Sequence, residues 1–71
     1  RAYYRGRPAE TAMTLAAYNA GQSRVDEWTR GADAAKMSES EFIARIGIES
    51  TRNYVTSILA RYRSQPELRT Q

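Results

Sequence analysis

Apolar residues recur along this chain at intervals of three and four, with no stretch of strict alternation, so the pattern predicts helices and no strands. Ala9, Ala12, Met13, Ala16, Ala17 and Ala20 share one side of a first helix over about Pro8 to Ala20. Pro8 suits its first turn, Glu10 complements the dipole there, and Gly21 is a C-terminal stop. The alanine face has so little bulk that another helix can approach closely, while Leu15 and Tyr18 stand a turn apart on a neighbouring face.

Beyond Gly21, Ser23 is a candidate cap for a short second helix holding Val25 and Trp28, which Thr29-Arg30-Gly31-Ala32-Asp33 interrupts. Ser38 and Glu41 have capping-box spacing ahead of the stripe Phe42, Ile43 and Ile46, predicting a third helix over about Ser38 to Ile46. Gly47 ends it. Ser50 or Thr51 can cap a fourth helix, in which Tyr54, Val55, Ile58, Leu59 and Tyr62 follow the i, i+3, i+4 rule until about Ser64, ahead of Pro66. The expected fold is all-α, a small bundle of about four helices. Its expected divisions are a basic N-terminal segment over 1–7, a helical core over 8–64 and a polar tail over 65–71.

Length changes the picture. A chain of 71 residues makes at most one domain and buries only about 60% of the surface that its unfolded form exposes. Small domains offset such a deficit with disulfides, metals or partners, and this one has no Cys and no His. A partner surface is therefore the expected device, and no metal or cofactor is expected. The same two absences remove a thiol nucleophile and an imidazole base, leaving carboxylates, hydroxyls and cations for any chemistry. No apolar run approaches the roughly 20 residues needed to span a bilayer.

The net charge of +3 is uneven: about +2 over Arg1 to Glu10, about −1 over Thr11 to Leu59 and about +2 over Ala60 to Gln71. Basic ends can approach anionic polymers, although scattered Arg residues commonly form an ordinary solvated surface.

The most unusual local feature is Ala17-Tyr18-Asn19-Ala20-Gly21, which sets a phenol beside an amide at a helix end among residues with almost no side chain. Such an arrangement suits a groove in which Asn19 hydrogen-bonds a neutral polar ligand and Tyr18 offers a ring face or a hydroxyl. The plainer possibility is that Asn19 caps the helix and Tyr18 fills the core.

Leu15-Ala16-Ala17-Tyr18-Asn19-Ala20-Gly21, followed by Ser23-Arg24-Val25 and Trp28, resembles a segment of the soluble lytic transglycosylases. Phe42-Ile43, Ile46 and Thr51-Arg52-Asn53-Tyr54-Val55 are similar, in order and spacing, to that family's Phe-Val, Ile and Glu-Thr-Arg-x-Tyr-Val. The resemblance covers about Met13 to Arg61. It implies the C-terminal portion of a lysozyme-like domain that cleaves the N-acetylmuramic acid–N-acetylglucosamine bond of peptidoglycan to give 1,6-anhydro-muropeptides. In that family one glutamate protonates the leaving oxygen and then serves as base towards the sugar's own hydroxyl, so a single acid suffices. That glutamate precedes the Tyr-Asn-Ala-Gly motif. No catalytic residue is therefore expected within this chain, and the acid is expected upstream, leaving the chain inactive alone.

Carried over position by position, the resemblance implies that Tyr18, Asn19 and Tyr54 line the saccharide groove. Arg52 is expected to pair with a carboxylate or a helix end. Trp28 could stack on a sugar ring, although a core Trp beneath a short helix is the plainer expectation. Glu49-Ser50 has the letters of the family's catalytic step but comes after the motif, at a helix start whose dipole favours the ionised form, whereas a general acid needs an apolar pocket.

The chain also departs from the family. Gln22 and Gly47 stand where the family has Pro, and Ser50 occupies the position of its second-motif glutamate, with Glu49 one residue and about 100° of helix away, so either Glu49 supplies that carboxylate from a shifted position or the contact is lost.

The partners implied are a peptidoglycan glycan strand, and the missing N-terminal half of the domain or another chain. The setting implied is a bacterial cell envelope or periplasm, or a phage. A non-catalytic glycan-binding or protein-interaction module of the same fold is the alternative. A small basic nucleic-acid binder is weaker, because no Lys or Arg lies between Pro8 and Gly21 and Arg45 stands alone in the third helix. If half of a domain is missing, the alanine face of the first helix and the stripe of the fourth are expected to be exposed, leaving the chain weakly stable, dimeric or partner-dependent.

Overall fold

The computed structural model describes residues 2–64. The fold is an all-α bundle: a 3-10 turn, Ala2–Tyr4, precedes α1 (Glu10–Ala20), α2 (Gln22–Trp28), α3 (Glu39–Arg45) and α4 (Glu49–Arg63). α1 is the central element, packed by the 3-10 turn and by each of the other helices. Ala9, Ala12 and Ala16 are fully buried with Met13, so the small face lets neighbouring backbones close on α1. Val25 from α2, Phe42 from α3, and Val55 and Leu59 from α4 complete the interior, together with Met37 and Ile46 from the connections.

That packing corrects one expectation. The alanine face and the aliphatic stripe of α4 are covered within the chain, and among the described residues the large apolar side chains that remain exposed are Tyr3, Tyr18 and Tyr62. Tyr62, assigned to the α4 stripe, lies outside it.

Helix starts also differ in detail. α1 begins at Glu10 with Ala9 as its N-cap and no side-chain cap, while the Glu10 carboxylate accepts from the Gly6 amide at 3.2 Å. Ser23 does not cap α2. Gly21 precedes Gln22 directly, at φ 100° and ψ 149°, a conformation that L side chains avoid, and its amide donates to the Ala17 carbonyl at 2.8 Å. One residue thus ends α1 and starts α2. At α3 the Ser38 hydroxyl accepts from the Glu41 amide at 3.1 Å, but the Glu41 carboxylate turns to Arg45 at 3.4 Å, so only half of the reciprocal cap forms. α4 starts after Ile48, with neither Ser50 nor Thr51 as its cap.

Tyr4 adds a core contact from the segment before Pro8. Its ring is buried edge-on to Tyr3 at 4.9 Å, with the Arg7 guanidinium 5.5 Å from the ring centre. The hydroxyl is buried and has no hydrogen-bond partner among the described residues. Burial raises its pKa above the ordinary 10.0, reinforced by the charges of Asp26 and Tyr3 and opposed by Arg7.

The neutral phenol is thus the favoured form in the fold. Its contribution to stability is fully present below the unfolded value of 10.0 and is lost as pH rises through the higher folded value. Tyr4→Phe removes the unpaired hydroxyl and leaves the ring. The expected result is stability at pH 7 that is unchanged or up to about 1 kcal/mol higher, with a shallower loss above pH 10, read from urea midpoints across that range.

Candidate functional site

Tyr18 stands two residues after the buried Ala16, about 200° around the helix, and so faces solvent at 86% exposure. The possibility that it fills the core is excluded. Asn19 is exposed too, and its role is not that of a helix cap, since the Gly21 amide already closes α1. Instead its Oδ1 accepts a 2.7 Å hydrogen bond from the hydroxyl of Thr51 on α4. Thr51 is buried, and with Val55 and Leu59 it forms the inward i, i+4, i+8 row of α4. The hydrogen bond therefore joins the C-terminal end of α1 to the N-terminal end of α4, where the two helix dipoles meet with opposite sign.

Tyr54 lies one turn beyond Thr51, half-buried against the core. Of the three residues expected to line a groove, Tyr18 and Asn19 are adjacent and exposed at the end of α1, and Tyr54 follows the residue that holds Asn19. Glu49 is exposed at the first position of α4, outside any apolar pocket. Arg52 is half-buried and its Nη2 donates to the Ile46 carbonyl at 2.6 Å, satisfying the end of α3.

Trp28 is half-buried at the end of α2, with its indole edge against Gly47. A Cβ at Gly47 would lie 2.8 Å from the Trp28 Nε1, so the ring occupies space that any other residue would fill. Gly47→Ala should displace the ring. Because the chain has a single Trp, a shift in its fluorescence maximum reports the displacement, together with a loss of about 1–2 kcal/mol in urea melts. Unchanged emission would show that the Ile46–Ile48 bend yields instead.

A cavity of about 240 Å³ is lined by Thr11, Glu39, Leu59, Tyr62 and Arg63, with Arg63 paired to Glu39. It adjoins the start of α1 and the end of α4, the opposite ends of those helices from Asn19 and Thr51. None of the candidate site residues Tyr18, Asn19, Trp28, Glu49, Arg52 and Tyr54 lines it. Among the described residues no group of three or more acidic side chains is placed to hold a metal ion, and no helix is long and apolar enough to cross a membrane.

Over 53 residues, 75% of its length, the chain is 40% identical to a putative soluble lytic murein transglycosylase of Haemophilus influenzae. The chain carries a lytic-transglycosylase-like region. It spans 9% of the length of that relative. No family model matches the chain, and no solved structure matches it. Within this lytic-transglycosylase-like region, Thr51 is the component that sequence reasoning assigned wrongly. Its place in the Thr51, Val55, Leu59 row was the available signal that the hydroxyl faces inward.

Proposed function

We propose that this chain forms part of a peptidoglycan lytic transglycosylase of the cell envelope and supplies one wall of its saccharide groove. The fold would be the C-terminal portion of a lysozyme-like domain. The enzyme would cleave the β-1,4 bond between N-acetylmuramic acid and N-acetylglucosamine and release 1,6-anhydro-muropeptides, with the acid glutamate supplied from outside these 71 residues. The relative's name supports the substrate class.

The observation that carries the groove-wall role is a fully presented phenol beside an amide braced from a second helix by a 2.7 Å hydrogen bond. A sugar needs such a surface, with a ring to cover its C–H face and directional groups for its oxygens. A braced amide also loses little freedom when it binds. Tyr54, one turn along α4 from the brace, extends the same wall in this reading.

The geometry also limits what the chain can do. Each Asp and Glu among the described residues is exposed or half-exposed, whereas a general acid works from an apolar pocket. In this reading the proton comes from elsewhere in the protein, or the module binds glycan without cutting it.

Titrating the isotope-labelled chain with an N-acetylglucosamine–N-acetylmuramic acid tetrasaccharide tests the wall. Shifts centred on Tyr18, Asn19 and Tyr54 are expected. Shifts centred on Thr11, Tyr62 and Arg63 would move the site to the cavity, and none at all would remove the reading. Digestion of sacculi by a longer chain carrying the upstream residues then separates enzyme from binding module through the appearance of anhydro-muropeptides.

A further inference from the structure

Hydroxyls on helices commonly turn back onto their own backbone, as Thr56 does here towards the Arg52 and Asn53 carbonyls at 2.9 and 3.3 Å. Thr51 does not. It is the third residue of α4, so the carbonyl four residues back belongs to Gly47, before the helix starts. Its buried hydroxyl instead reaches Asn19, 32 residues away in sequence.

The chemistry of the amide gives this contact a direction. A carboxamide carries its acceptor oxygen and its donor nitrogen on opposite sides of one planar group. With Oδ1 engaged by Thr51, the exposed side chain keeps its amide nitrogen available, and that nitrogen has no partner among the described residues. We infer that Thr51 is a positioning residue that fixes Asn19 as a hydrogen-bond donor towards the ligand, selecting an acceptor oxygen such as an acetamido carbonyl. This rests on the groove-wall reading proposed above.

The chemistry is selective because a freely rotating Asn19 could offer either its oxygen or its nitrogen. A braced one presents its N–H to the ligand, with one of the two lone pairs of its oxygen already taken by Thr51.

Three variants of the full chain separate positioning from structural support. Thr51→Val keeps the buried shape but frees the amide; tetrasaccharide affinity should fall about tenfold, and the side-chain amide resonances of Asn19 should move towards those of a solvated amide. Thr51→Ser restores the donor and should recover both readouts. Asn19→Asp keeps an acceptor for Thr51 but abolishes the outward donor, so the helix junction should survive while binding is lost.

Wild-type affinity in Thr51→Val or in Asn19→Asp would overturn the inference and leave the groove reading standing. Asn19 amide resonances that are the same in the wild type and in Thr51→Val would overturn it without reference to any ligand. Failure of the wild-type chain to bind the tetrasaccharide would instead count against the groove reading itself.

Discussion

Phe42→Ala should leave the chain largely unfolded at room temperature. Phe42 has no exposed surface and is the largest of the fully buried side chains. It enters the core from α3, a helix of seven residues that cannot hold itself together in isolation. Truncating a buried Phe costs about 3–5 kcal/mol from lost transfer energy and the cavity left behind. A domain of this length has roughly 4–10 kcal/mol of total stability. The loss therefore takes a large part of the margin, and all of it at the low end of that range. The alanine-lined face of α1 cannot repack to fill the space, because Ala12 and Ala16 have no side-chain length to offer. Far-ultraviolet circular dichroism through a urea titration should show a midpoint near zero denaturant, and Phe42→Leu should retain a cooperative transition. A wild-type midpoint in Phe42→Ala would mean that α3 is not integral to the core.

The second large effect should appear in function and leave stability alone. At 86% exposure Tyr18 contributes almost nothing to the interior, so Tyr18→Ala should shift the unfolding free energy by no more than about 0.5 kcal/mol. If the residue lines a sugar groove, the same substitution should weaken tetrasaccharide binding by about tenfold, equivalent to about 1.4 kcal/mol. In a longer, active chain kcat/KM should fall by a similar factor. Tyr18→Phe divides the effect between ring and hydroxyl: near-normal binding assigns it to the ring face, and a loss like that of Ala assigns it to the phenol oxygen. Unaltered binding in Tyr18→Ala would take the residue out of the site.

The helices were legible because their cores are built at helical spacing. Val55 and Leu59, Phe42 and Ile46, and Ala12 with Ala16 all occupy the buried positions that periodicity indicates. The Ser38 cap was legible for the same local reason. What escaped was whatever depended on a distant partner. Met37 is buried from an irregular connection where no period exists to mark it, and Tyr4 lies in a segment whose three arginines dominate its appearance. Thr51 has the composition of a cap, and only the approach of α1 turns it into a buried donor.

The candidate site divides along the same line. Tyr18 and Asn19 are conspicuous in sequence because small residues surround them. Whether Tyr18 points inward or outward depends on which side of α1 the other helices cover, and a composition of alanines does not specify that. The angular distance from Ala16 does specify it once Ala16 is known to be buried. The brace on Asn19 has no signature in either motif taken alone, since donor and acceptor lie on different helices, 32 residues apart in sequence.

The bend between α3 and α4 has no cap of its own. Its terminal carbonyl, on Ile46, is satisfied by a guanidinium that belongs to the next helix, at Arg52. The donor reaches that carbonyl only when the first turn of α4 is wound, so bend and turn form or melt as one cooperative unit. Gly47, caught between them and pressed against the Trp28 ring, carries the linkage on to α2. What looks in sequence like a loose glycine joint is a corner that opens only by unwinding the helix that follows it.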